Sequence, residues 1–150
     1  MLNSVTTNLM VIDMVRSLRF YHEVLGAPMA FTVDGDQNTT MPGEIGDEVV
    51  FASLRIGEAE LMLQERVNLL ADSPAFDADT LPSASMTLYF RVDDVDAIAG
   101  RLPTDTEVLK PLQTTWYGMR EIWIRDPDGY ALTIGTPSGE PPTVDATNGV

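Results

Sequence analysis

The sequence predicts an α+β fold made of two tandem βαβββ modules that form a shared concave cleft, and three observations predict it. A stretch of alternating character gives way to helical spacing twice, from Thr6 to Leu25 and again from Met86 to Leu102. The two stretches align at an offset of 81 residues, which carries Thr6 onto Thr87, Val11 onto Val92 and Asp13 onto Asp94. Near the end of the patterned chain stands DPDG, Asp126 to Gly129, a hairpin turn in which proline presets φ and glycine accepts a positive one.

Each element follows in order. A strand from Thr6 to Val11 runs into a helix with Asp13 as N-cap. Met14, Leu18, Tyr21 and Leu25 fall on one face of that helix, and Gly26 ends it. Pro28 to Val33 is a second strand, and Asp34 to Asp47, rich in Gly, Asp, Asn and Thr, is a loop. Glu48 to Ile56 and Glu60 to Gln64 are strands joined by a turn at Gly57. This completes module one, residues 5–65, and a linker with at most a short helical turn occupies 66–85. In module two, residues 86–136, Asp94 caps a helix whose apolar face is Val95, Ile98 and Leu102. A strand around Glu107 to Leu109, a loop through Trp116, Tyr117 and Gly118, and the hairpin of Arg120 to Arg125 with Ala131 to Gly135 complete the repeat; residues 137–150 are read as a frayed tail.

Composition narrows the chemistry. The 150 residues carry 23 acidic and 9 basic side chains for a net charge of -14, with no cysteine and one histidine. A chain of this length buries roughly two-thirds of its unfolded surface and needs neither disulfide nor structural metal to fold as a single domain. Phosphate binding requires clustered cations, and Lys110 is the single lysine, so nucleic acid and anionic membranes are excluded as expected partners. No apolar run approaches the roughly 20 residues of a spanning helix, and the N-terminus lacks a signal-peptide pattern, so a cytoplasmic location is expected. Thiolate sites and any site needing two histidines from one chain are impossible. The acidity suits either a cationic ligand or a highly soluble, salt-adapted surface.

The segments VIDMVRSLRFYHEVLG (Val11 to Gly26), ELMLQ (Glu60 to Gln64), FRVDDVDAIAGRL (Phe90 to Leu102) and YGMREIWIRDPDGYAL (Tyr117 to Leu132), in that order and spacing, resemble the vicinal oxygen chelate superfamily of glyoxalases, dioxygenases and bleomycin-resistance proteins. The resemblance implies the glyoxalase/bleomycin-resistance fold. It also implies that metal-dependent relatives place ligands at the positions occupied here by Thr6, Met62, Thr87 and Thr133. Hydroxyls and a thioether are poor ligands for the metals concerned, so no metal and no cofactor is expected. The lone His22 lies at the flank of the first helix's apolar face and is read as structural.

Strand alternation assigns the cleft-facing side chains. Leu9, Val11, Leu61, Leu63, Leu88, Phe90, Ile122, Ile124, Leu132 and Ile134 belong beneath the helices, which leaves Asn8, Met10, Glu60, Met62, Gln64, Tyr89, Glu121 and Trp123 as candidate ligand-binding residues. Trp116 joins them from its loop, and Phe51 is left unassigned. Aromatic faces with a few polar groups suit a flat organic ligand, and carboxylates near a π-face suit a cation; the same residues also suit plain core filling. An ion pair of Glu121 with Arg120, or with a neighbouring strand, is expected. The expected function is metal-independent binding of a cationic or aromatic small molecule by a homodimer, as the bleomycin-resistance branch implies. The alternatives are a lyase, isomerase or dioxygenase with a non-standard or absent metal site, and a partner-regulating domain. No catalytic residue is identifiable.

Overall fold

The computed structural model describes residues 1–142 and divides at Ser83/Ala84 into two compact units. The first carries β1 (Thr7–Val11), α1 (Met14–Leu18) with a π-helical continuation over Arg19–Val24, β2 (Met29–Asp34), β3 (Thr39–Thr40), β4 (Val49–Ile56), β5 (Ala59–Glu65) and α2 (Arg66–Asp72). The second carries β6 (Thr87–Arg91), α3 (Val95–Arg101), β7 (Val108–Thr114), β8 (Met119–Arg125) and β9 (Ala131–Pro137). The first sheet has the order β1-β5-β4-β2-β3 and the second β6-β9-β8-β7. In each, the first strand lies parallel to the last and the remaining pairs are antiparallel, so the repeat seen in the sequence is a repeat of topology.

Helices α1 and α3 start as their caps dictate. Asp13 accepts a hydrogen bond from the Arg16 N–H at 2.9 Å and Asp94 one from the Ala97 N–H at 3.0 Å, each satisfying an otherwise orphaned first-turn donor. Past Leu18 the first helix widens to π geometry, with the Leu25 N–H donating to the Phe20 carbonyl five residues back. The wider turn moves the apolar face. Phe20 and Tyr21 are buried, with rings edge-on at 5.2 Å, while Leu25, expected on the buried face, is only half-buried. Gly26 takes φ +79° at the end of this helix and Gly129 φ +90° in the DPDG turn, where L side chains are strained.

Four expected boundaries change. The Asp34–Asp47 loop contains β3, paired to Thr32 and Val33; the strand placed around Glu107 to Leu109 extends as β7 to Thr114; the 66–85 segment opens with a helix of two turns, α2; and β9 continues to Pro137, the first residue of the expected tail. Residues 143–150 of that tail lie outside the described residues. No described helix is long and apolar enough to cross a membrane.

The cores form on the helix side of each sheet. Leu9, Val11, Ala52, Leu54, Leu61 and Leu63 are buried with Met14, Leu18 and Tyr21 in the first unit, and Ile122, Ile124, Leu132 and Ile134 with Val95 and Ile98 in the second. Because partners across a ladder share a face, the register assigns the opposite face as well.

Candidate functional site

In the first unit, the register Asn8↔Met62, Met10↔Gln64, Met62↔Ser53, Glu60↔Arg55 and Gln64↔Phe51 puts Asn8, Met10, Glu60, Met62 and Gln64 on the sheet face away from α1. Phe51 belongs to it too, stacked on Phe31 with centroids 5.9 Å apart. The polar members are engaged within the unit. The Gln64 carbonyl accepts from the Asn8 amide at 2.8 Å, and its own amide donates to Asn68 and Asp72 at 2.7 Å each, which ties α2 to the end of β5. Glu60 accepts from the Ser53 hydroxyl at 2.5 Å. Gln64 and Met10 are buried, Glu60 and Met62 half-buried and Asn8 exposed, so this face offers few uncommitted polar groups.

The second unit gathers its candidates more tightly. Thr87, Tyr89 and Arg91 on β6, Ala131, Thr133 and Gly135 on β9, and Glu121, Trp123 and Arg125 on β8 share the face away from α3. Glu121 is the centre of this face. It is fully buried, and its carboxylate accepts three hydrogen bonds: Oε1 from the Tyr89 hydroxyl at 2.5 Å, Oε2 from the Tyr117 hydroxyl at 2.6 Å and from the Trp123 indole N–H at 3.3 Å. A carboxylate removed from water requires such donors. Gly135 leaves the room for them, since a Cβ there would meet the Tyr89 hydroxyl oxygen at 2.8 Å and the Glu121 Cγ at 2.9 Å.

The expected ion pair between Arg120 and Glu121 is not formed. Neighbours on a strand point to opposite faces, so the Arg120 guanidinium grips Asp96 of α3 through two bonds of 2.7 Å while Glu121 turns to the other side. Burial and the hydrogen bond to Glu121 push the Tyr89 phenol well above its usual range. The Tyr117 phenol is raised as well, chiefly by its bond to Glu121 and then by burial. Both therefore stand as protonated donors at neutral pH.

Around this centre the rings remain open to solvent. Tyr89 is 43% exposed, Tyr117 39% and Trp116 70%, with Trp116 edge-on to Tyr117 at 5.3 Å. Two cations rest on the rings: Lys110 Nζ lies 4.3 Å from the Trp123 centroid and Arg91 Cζ 5.5 Å from that of Tyr89. Among the four candidates of this unit, Tyr89, Glu121 and Trp123 are brought into direct contact and Trp116 is joined through Tyr117. Tyr117, Lys110 and Gly135 were missed as site residues. Tyr117 was visible only as an aromatic in a loop. Lys110 could not have been placed, because β7 carries a bulge: Val108 pairs with Ile124 but Lys110, not Leu109, with Trp123.

The positions at which metal-dependent relatives are expected to hold a metal are occupied here by Thr6, Met62, Thr87 and Thr133. Thr6 precedes β1, Thr87 pairs with Ala131, Met62 with Asn8, and Thr133 is a buried hydroxyl paired with Tyr89. Among the described residues no three of His, Asp, Glu and Cys converge. Hydroxyls and one thioether do not fit a divalent transition metal. His22 is half-buried, and its Nδ1–H donates to the Ala27 carbonyl at 2.8 Å.

Comparison with known proteins gives a consistent picture. The model of the Glyoxalase/Bleomycin resistance protein/Dioxygenase superfamily matches residues 2–134. No functionally curated protein matches the chain in sequence. Similar solved structures include a protein of unknown function from Agrobacterium tumefaciens str. C58, 24% identical with a TM-score of 0.69 over 90% of this chain and 94% of that one. TioX from Micromonospora sp. ML1 is 18% identical with a TM-score of 0.61, covering 90% and 98%. A glyoxalase/bleomycin resistance protein/dioxygenase family enzyme from Burkholderia phytofirmans PsJN is 18% identical with a TM-score of 0.63, covering 88% and 96%. At these identities the likeness is one of fold.

Proposed function

The chain belongs to the glyoxalase/bleomycin resistance protein/dioxygenase superfamily, and from that premise we propose that it binds a flat aromatic small molecule without a metal, on the open face of its second sheet. The carrying observation is the anchoring of Tyr89, Tyr117 and Trp123 by their polar atoms to the buried carboxylate of Glu121. Rings fixed in this way present π-faces without losing rotamer freedom on binding, which is how a preorganised site gains affinity.

Of the two ligand classes expected from the sequence, this arrangement supports the aromatic one. The carboxylate that would add charge to a cation site, Glu121, is buried and already accepts three donors, and the Trp123 and Tyr89 rings already carry a cation each. Glu60, the other candidate carboxylate, receives the Ser53 hydroxyl. The same saturation weighs against catalysis, since a general base needs an oxygen within reach of the substrate proton. The donor set at Thr6, Met62, Thr87 and Thr133 weighs against metal-dependent chemistry. Following the bleomycin-resistance branch, the protein is proposed to work by holding its ligand, as a homodimer in the cytoplasm; sedimentation at micromolar concentration checks the assembly, and a monomer mass contradicts it.

The test of the function is quenching of intrinsic tryptophan fluorescence by a planar neutral probe such as acridone, on chelator-treated protein and again after adding divalent zinc, manganese or nickel. The expected result is saturable quenching that is equal in all cases and is lost in Trp123→Leu. Quenching that appears only with metal contradicts the proposal.

A further inference from the structure

We infer that the aromatic face of the second sheet selects an aromatic anion, a planar ring system carrying a carboxylate or a similar acid group, with Lys110 and Arg91 as the residues that recognise its charge. The inference rests on the aromatic-binding reading and adds the ligand's charge to it.

The polar inventory of the face leads there. The Tyr89 and Tyr117 hydroxyls and the Trp123 indole N–H all donate to Glu121, and Glu121 accepts all three, so these groups satisfy one another. The Arg125 guanidinium is engaged by Glu107 at 3.3 Å and by the Gly129 carbonyl at 2.9 Å. Lys110 and Arg91 differ. Both are exposed, and neither pairs with a carboxylate among the described residues, although acidic side chains outnumber basic ones 23 to 9. What each has instead is a ring. The uncommitted charge on this face is therefore positive in a chain whose total charge is -14.

The placement is built into the fold. Without the β7 bulge, continuing the Val108↔Ile124 register would set Leu109 against Trp123 and direct Lys110 to the helix side. The extra residue brings the only lysine of the chain onto the indole. Pro111 follows it, tolerated because β7 is an edge strand. Arg91 stands on β6, the opposite edge, so the two cations flank the rings across three interstrand gaps, about 14 Å at the usual spacing. A ring stacked between them has a cation within reach of an acid group at either end. An incoming cation meets Trp123 and Tyr89 rings that already carry one each. The repulsion of an anion by the net charge acts over distance and is screened beyond about 8 Å at physiological salt, whereas Lys110 acts in contact.

Titration calorimetry of the full chain with three probes of one shape, naphthoate, naphthylmethanol and naphthylmethylammonium, at physiological ionic strength decides the question. Naphthoate is expected to bind tightest, roughly threefold to tenfold better than the alcohol, with the ammonium weakest. Lys110→Met is expected to reduce the preference for naphthoate, the Lys110→Met, Arg91→Met double variant to bring naphthoate to the affinity of the alcohol, and Lys110→Arg to retain the preference. Equal or tighter binding of the alcohol or the ammonium overturns the inference while leaving the aromatic-binding reading intact, as does a preference for naphthoate that survives in the Lys110→Met, Arg91→Met double variant. Failure of all three probes to bind overturns both.

Discussion

At the scale of the residue, Glu121 and Gly135 hold the candidate site together. Glu121→Gln keeps the side chain's shape but turns one acceptor oxygen into an NH2 group that faces a hydroxyl or indole donor. An unsatisfied buried donor costs about 1–3 kcal/mol, and we expect a loss of that size in urea denaturation; an unchanged midpoint would show that the three donors do not depend on the carboxylate. Gly135→Ala introduces a Cβ 2.8 Å from the Tyr89 hydroxyl oxygen and 2.9 Å from Glu121 Cγ. It should cost about 1–3 kcal/mol through overpacking and abolish aromatic binding together with the Tyr89–Glu121 bond. The phenols give a pH signature. Tyr89 and Tyr117 have folded-state pKa values raised above the unfolded value near 10, so the folded state holds its protons more tightly. Their contribution is fully present below pH 10 and is lost as pH rises above it. Tyr89 and Tyr117 should titrate above the free-phenol range in ultraviolet absorbance, and Glu121→Gln should lower them; titration of both at the free value would contradict the hydrogen bonds described.

At the scale of the element, what the sequence revealed depended on whether local chemistry was decisive. Asp13 and Asp94 were legible as caps because an N-cap is a contact over three residues, and both make it. Asp13→Ala and Asp94→Ala should each cost about 1 kcal/mol by chemical denaturation, a matched pair that reflects the repeat. The strand faces were legible because a period of two, with one face apolar, fixes direction. The π-helical turn that buries Phe20 in place of Leu25 was not legible, since α and π spacing differ by one residue and both patterns are apolar there. The bulge in β7 was hidden as well: a bulge is a property of pairing with β8, and the run Val108 to Thr114 gives no signal of which residue is extra. Nor was α2, whose single buried residue, Leu69, leaves almost no amphipathic pattern. Its attachment to β5 runs through Gln64. Gln64→Ala should therefore speed hydrogen exchange of the α2 amides while leaving β4 and β5 slow; unchanged α2 exchange would assign that helix's order to packing alone.

At the scale of the molecule, the βαβββ repeat was legible almost entirely, because the offset of 81 residues, the caps and the DPDG turn agree with one another and with the two sheets. Less of the site was legible. Tyr89, Glu121 and Trp123 were identified by face, but their mutual hydrogen bonds, the part of Tyr117 and the cation over Trp123 depend on a hairpin loop and a bulge. The acidity reads differently beside the structure. It suits a cationic ligand or a highly soluble, salt-adapted surface, while on the ring-bearing face of the second sheet Glu121 is engaged by three donors and Lys110 and Arg91 supply positive charge locally. A chain with a charge of -14 repels itself, so salt added from low ionic strength should raise the thermal midpoint. A falling midpoint would indicate that ion pairs such as Arg120–Asp96 outweigh the repulsion.

The claim that joins these scales is that a flat aromatic molecule binds at Trp123 without metal. The chain has two tryptophans, Trp116 and Trp123, and hence two indole N–H signals in a proton–nitrogen correlation spectrum. Following both while an aromatic carboxylate is titrated into chelator-treated protein tests the claim most directly. The Trp123 signal should move saturably with ligand and be indifferent to added metal. A Trp123 signal that stays fixed at saturating ligand, or that moves only once a divalent metal is supplied, contradicts it.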